Sequence, residues 1–342
     1  MHINKQKWKN HENKLSTGRL LCMTLAGQAQ TISSKREIME RFLNGTLEKN
    51  YAPAAFFMHF GKDAKTGEAA VNSHINYFVA TGMDIVKIQF EQGYGRIRIE
   101  KPEDWEQIKP LPRNFFAPTL EVIDRIVNIA GHDAMILPTI YSPFQMLVQT
   151  VGAANLMKYA KEKPEQVTRA MEIFTTALIQ FAKDCKARGV DGFYTPSQGG
   201  EEKFYIVPRF FERFVKPYDL QVMKECNQDT RCNILHICDY EGNYDDLSRF
   251  ADYPGQIVNT PNIVNGKPFT LKDGERLFKR IVMGGLDRKK TIHNGTPEEV
   301  KAAVLKIKKN YKGRLIIGAE CTIKPDTPME NIRTAIRTAH GK

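Results

Sequence analysis

From Ser33 onward the apolar positions follow two alternating rhythms. Short runs rich in Val, Ile, Leu and Phe, at 54–59, 84–90, 134–139, 192–195, 233–238, 256–259, 280–285 and 314–319, are of strand length and composition. Between them the apolar residues fall at helical spacing. Val167, Met171, Phe174, Leu178 and Phe181 line one face of a long predicted helix that stops at Gly189. Two later helices carry start signals: Thr296, Pro297 and Glu299 in "TPEEV", and the same arrangement in "TPMEN" at 327–331. Strand and helix in regular alternation imply α/β units around a parallel sheet, and eight strands are what a closed (β/α)8 TIM barrel requires. No Gly-rich phosphate loop follows a strand, which argues against a dinucleotide-binding fold.

Residues 1–32 break the rhythm and read as an N-terminal tail, leaving 33–342 as a single barrel. "STGRLLCMTLAGQAQT" resembles a poor signal peptide, with a short apolar stretch from Leu20 to Ala26 behind a long polar leader. The expected location is therefore cytoplasmic, with export as the alternative. No apolar run reaches the length of a membrane span. The 50 Lys and Arg against 39 Asp and Glu give a net charge of +11, but the excess is spread thinly. Without an accompanying motif it implies neither nucleic acid nor a membrane as partner, and it is compatible with an acidic small molecule. Six cysteines without regular spacing read as reduced thiols.

In a barrel the chemistry sits where the strands end, so the polar residues at those ends are the candidates. They are His59, Lys87, Gln89, Glu91, Tyr141, Tyr194, Gln198, Glu201, Glu202, His236, Cys238, Asp239, Asn259, Asp287, Glu320 and Cys321. His236 and Cys238 lie two apart on a strand and face the same side. With Cys321 they offer the imidazole and soft thiolates that zinc selects, three ligands leaving a fourth position open. Spacing alone equally allows a satisfied histidine and two small apolar cysteines. Lys87, inside an apolar strand, is costly to bury unpaired, so either it points to the mouth and meets an anion or carboxylate, the favoured reading, or its strand lies at an edge. His59 reads either as a pocket acid/base or as a strand-end polar residue. Glu201 or Glu202 is a candidate for the fourth zinc position.

The motifs "LHICDYEGNYDDL", "GGLD", "GTPEEVKAAV" and "GAECTIKPDTPMENI" resemble the uroporphyrinogen decarboxylase superfamily in order and spacing. The H-x-C with a distant downstream Cys is similar to the zinc motif of the methylcobamide:coenzyme M methyltransferase branch, which implies His236, Cys238 and Cys321 as Zn2+ ligands. True uroporphyrinogen decarboxylases carry an "RQAGRY"-type segment, an Asp at the end of the second strand and a His in the last-strand motif. Here the matching stretches read "FFMHFGKDAKTG", "IVKIQFEQG" and "GAECTI".

The resemblance implies a methyltransferase that activates a thiol, with methylcobamide as methyl donor on a partner corrinoid protein. His59 and Lys87 would serve catalysis, Tyr194, Gln198 and Asp287 would line the cofactor site, and a homodimer follows by analogy. Two alternatives stand beside it: a decarboxylase acting on a tetrapyrrole in porphyrin biosynthesis, and a non-catalytic barrel that binds a corrinoid or tetrapyrrole.

Overall fold

The computed structural model describes residues 33–240 and 242–342. The predicted tail at 1–32, with its signal-like stretch and Cys22, lies outside the described residues. Ser34–Lys342 form one compact α/β unit.

Seven of the eight predicted strands are present: β1 (Ile85–Ile88), β2 (Met135–Pro138), β3 (Tyr194–Ser197), β4 (Ile234–Ile237) and β5 (Ile257–Asn259), then β8 (Ile281–Leu286) and β9 (Leu315–Ala319). A small antiparallel pair, β6 (Ile263–Val264) with β7 (Lys267–Pro268), stands between β5 and β8. Parallel pairing runs β1–β2 and β3–β4–β5–β8–β9. A single parallel bridge, Thr139 with Tyr194, joins the two groups. β1 to β5 and β9 are buried throughout, as expected of parallel strands covered on both faces.

The predicted strand at 54–59 departs from expectation. It makes isolated parallel bridges, Ala54 to Ile317 and Met58 to Ile323, in place of a continuous ladder. Side chains take groups that a ladder would use: Tyr77 Oη donates to the Phe56 carbonyl at 2.9 Å, Gln89 Nε2 donates to that of Met58, and the Ala54 amide donates to Asp84. The segment still lies between β9 and β1, with the Ala55 amide on the Ile317 carbonyl and the Asp84 amide on that of Ala54, both at 3.0 Å.

The long helix runs Pro164–Lys186 and buries all five predicted apolar residues, and Gly189 adopts the left-handed conformation at φ 83° that a β-carbon would oppose. Helix Pro297–Asn310 has the expected capping box between Thr296 and Glu299. Helix Met329–Ala339 does not. It starts one residue later than "TPMEN" implies, its N-cap is Pro328, and the Thr327 hydroxyl instead meets His293 Nδ1 at 3.3 Å.

At the opposite end of the strands from the candidate chemistry, Asp84 is fully buried and ties four separate parts of the chain together. It accepts from Lys35 (2.8 Å), Tyr51 Oη (2.6 Å), the Ala54 amide (2.7 Å) and His340 (2.7 Å). Burial opposes its charge, but His340 and Lys35 outweigh that and hold its carboxyl below the usual aspartate range. Asp84→Asn should therefore lower unfolding stability by about 3 kcal/mol at neutral pH, since it strands buried donors and a cation. A group with a depressed folded pKa contributes above its unfolded value and loses that contribution as pH falls through the folded one. The margin of wild type over the variant, measured by urea denaturation, should therefore be full at neutral pH and shrink only below the ordinary aspartate pKa.

Candidate metal centre

His236 is the third residue of β4, Cys238 follows that strand directly, and Cys321 lies two residues beyond the end of β9. All three are buried, and their ligand atoms lie within 4.8 Å of one another. The two sulfurs, 83 positions apart in sequence, stand 3.9 Å apart. Two thiolates on one tetrahedral zinc, each at about 2.3 Å, would be separated by about 3.8 Å. The imidazole stacks on Tyr194 with centroids 5.1 Å apart, and its buried Nδ1 has no hydrogen-bond partner. A buried polar atom without a partner asks for a reason, and an imidazole beside two thiols is a donor set of the kind that a soft cation would fit. Among the described residues no carboxylate joins this group.

The contact between the two sulfurs drives the thiols apart: it holds Cys321 well below the ordinary range, with His236 and Arg288 adding positive potential against the cost of burial, and with burial it pushes Cys238 up. Gln198 Nε2 approaches Cys238 Sγ at 3.5 Å, and Tyr244 Oη donates to the Cys238 carbonyl at 2.9 Å. By contrast, burial raises the thiols of Cys185, Cys226 and Cys232, which lie in the core away from this group.

Beside the three donors opens a cavity of about 240 Å³. His59, Lys87, Tyr194 and Gln198 line it together with the donors themselves. The Lys87 ammonium is buried, donates to Gln89 Oε1 at 2.8 Å, and lies over the rings of Phe57 and Tyr194 at 5.3 and 5.0 Å. Burial brings its pKa down to about 7, against the pull of Cys321, Glu91 and Cys238. His59 is half exposed at the cavity wall and meets Glu91 at 3.2 Å, a carboxylate that also pairs with Lys65.

Several candidates lie outside the cavity lining, among them Asp287, Glu201 and Glu202. Asp287 accepts from the Lys289 and Lys290 amides at 2.8 and 3.0 Å, closing its own turn, and does not line the cavity. Glu201 accepts from the Gly199 amide and is likewise absent from the lining. Several residues of the site are not among the sequence candidates, Thr139, Gln145 and Arg288 being the most informative. Thr139 and Gln145 line the cavity with a buried Oγ1 and Oε1 that have no partner. Arg288, next to the expected Asp287, is buried against Asp239 and Glu320. Gln145 lies among apolar residues of helix Pro143–Val151, where nothing in the pattern separates a cavity glutamine from a surface one.

Residues 68–341 match the family described as Uroporphyrinogen decarboxylase (URO-D). The chain is 24% identical over 324 residues to the methylcobamide:CoM methyltransferase MtbA of Methanosarcina mazei, covering 86% of this chain and 90% of that protein. It is also 24% identical over 208 residues to the methylated-thiol–coenzyme M methyltransferase of the same organism, covering 59% of this chain and 52%, about half, of that relative. A solved methyltransferase from Methanosarcina mazei superposes with a TM-score of 0.74 at 18% identity, over 90% of this chain and 98% of that one. Among the described residues no helix is long and apolar enough to cross a membrane.

Lys87 gives this site a measurable signature. With its folded pKa near 7 and an unfolded value near 10.4, the folded chain gives up a proton that the unfolded chain still holds between those values. Stability should therefore rise with pH across that window. Lys87→Met should fold and should lack this rise, so that its advantage over wild type in urea denaturation is greatest at and below pH 7 and disappears towards pH 10.

Proposed function

This chain belongs to the uroporphyrinogen decarboxylase family, and within it we propose a zinc-dependent methyltransferase that activates a small thiol for methylation by a methylated corrinoid. The observation that carries this reading is the convergence of one imidazole and two thiols, all buried, at a separation suited to one tetrahedral cation. His236, Cys238 and Cys321 would hold the zinc. Bound there, zinc would lower the pKa of a substrate thiol and favour its thiolate. The relatives' names, which specify methylcobamide, coenzyme M and a methylated thiol, support the same substrate classes for this chain.

The remaining residues divide the work of binding. We read the parallel strands with the 54–59 segment as a closed (β/α)8 barrel spanning 33–342, whose mouth is the cavity. Lys87, the buried cation of that cavity, pairs with an anionic end of the substrate. Gln198, already on Cys238, and the Tyr194 ring fix the position of the thiol beside the donors. His59, partnered by Glu91 and open to solvent, takes the proton that the substrate thiol releases. The methyl donor, carried by a partner corrinoid protein, approaches at the mouth. A cavity of about 240 Å³ lies below the roughly 300 Å³ at which pockets for drug-sized ligands begin, so it suits a small thiol better than a tetrapyrrole. That volume disfavours decarboxylation of a tetrapyrrole within the site.

Metal analysis of purified wild type, Cys238→Ser and Cys321→Ser is the direct test. About one zinc per chain is expected in wild type and a small fraction of that in each variant. Methyl transfer from methylcobalamin to a panel of small thiols should follow the same order, with Lys87→Met losing most for anionic thiols. Equally low zinc in all three proteins would sink the proposal, and turnover of uroporphyrinogen without metal would replace it with the decarboxylase reading.

A further inference from the structure

Cys238 and Cys321 each have an acidic neighbour in sequence, Asp239 and Glu320 respectively, and both carboxylates turn towards the same residue. Arg288, two residues past β8, lies between them with its side chain 5% exposed. Its guanidinium donates to Asp239 Oδ1 at 2.6 Å. Its backbone amide donates to Glu320 Oε2 at 2.9 Å, and its Nε stands 3.9 Å from Glu320 Oε1, an ion pair too long for a hydrogen bond. Asn262, in the segment after β5, donates from Nδ2 to Glu320 Oε2, the oxygen that also takes the Arg288 amide, at 3.3 Å. One buried residue from a third strand end thus grips both of the segments that present the sulfurs.

We propose that Arg288 is the positioning residue of this centre, a clasp on Asp239 and Glu320 that fixes the spacing of Cys238 and Cys321 and so sets the affinity of the site for a thiophilic cation. The geometry explains why a full arginine is buried here. β4 and β9 are not neighbours in the sheet, so no ladder hydrogen bond sets the register between the two cysteines. Arg288 supplies that missing constraint, with its guanidinium hydrogen-bonded to Asp239 and its backbone amide, reinforced by the longer ion pair, on Glu320. Its planar fork suits two carboxylates in a way that a lysine's point charge does not. Groups in this outer position orient metal ligands, and their loss commonly costs ten- to a hundredfold in metal affinity.

The cation part of this inference rests on the zinc reading, whereas the spacing part does not, and two probes separate them. Zinc affinity is read by competition with a chromophoric chelator, and cobalt substitution reports thiolate coordination through its near-ultraviolet absorption. On metal-free protein, a trivalent monoarsenical probe, which loses one water as it bonds two nearby thiols, reads the sulfur spacing alone. Arg288→Gln should weaken zinc roughly ten- to a hundredfold, reduce the cobalt–thiolate band and weaken arsenical capture, while Arg288→Lys recovers part of each. Folded Arg288→Gln with wild-type zinc affinity, cobalt spectrum and arsenical capture would overturn the clasp. Should Arg288→Gln fail to fold, wild-type values for Arg288→Lys in all three measurements would overturn it equally. If wild type itself retains no zinc, the functional reading falls and the arsenical comparison alone decides the clasp.

Discussion

The site depends on curvature. β4 and β9 are separated in the hydrogen-bonded order by β5 and β8, three steps that in a flat sheet would set their ends about 14 Å apart. The sulfurs carried at those ends are 3.9 Å apart. Only a sheet that curls back on itself can bring them together, and other contacts across the strand ends agree with it. Lys87 of β1 lies over Tyr194 of β3, Phe57 meets the same ring at 5.3 Å, and Asn259 of β5 donates to the Ala319 carbonyl of β9 at 3.1 Å. The donor set is thus a property of the whole sheet and has no local cause in any one strand.

The curl is held from the other end. Asp84 gathers Lys35, the stretch from Tyr51 to Ala54 and His340, three parts of the chain far apart in sequence, and thereby seats the 54–59 segment against β1 and ties the start of the first helix and the end of the last to the same carboxylate. This segment is short of ladder hydrogen bonds and needs such anchoring. Stability and chemistry are separated along the strands as the fold class leads one to expect: a saturated carboxylate at their starts, and at their ends a buried cation, two thiols and the unpartnered polar atoms of Thr139, Gln145 and His236.

How much of this could be read in the sequence follows from the range of each interaction. Apolar runs report burial locally, so seven strands and the long helix were legible, and with them the strand-end positions of Lys87, His236, Cys238 and Cys321. The 54–59 run was equally apolar, but whether its amides and carbonyls pair with a neighbour or with Tyr77, Gln89 and Asp84 depends on residues distant in sequence. Asp287 and Arg288 illustrate the same limit at one-residue scale. The end of β8 was placed one residue early, and which of two adjacent charged residues turns inward is set by the loop: Asp287 caps its own turn while Arg288 finds two carboxylates. The Asp84 cluster was invisible because none of its four partners has a pattern that points to the others.

Charge in the cavity follows the same division between local and collective causes. Burial alone would strip the proton from Lys87 and leave it on Glu320, and both are brought to about 7 for that reason. Cys321, Glu91 and Cys238 pull Lys87 back towards its ammonium form, and Arg288 favours the thiolate of Cys321. A buried cation left with a glutamine and two aromatic rings for company contributes little to folding. It stands beside two further polar side chains of the cavity, Thr139 and Gln145, whose buried Oγ1 and Oε1 meet no protein partner, so the cavity has hydrogen-bonding groups to offer a small polar ligand. An apolar side chain at position 87 would serve the fold better, and the lysine is therefore best understood through what the cavity holds.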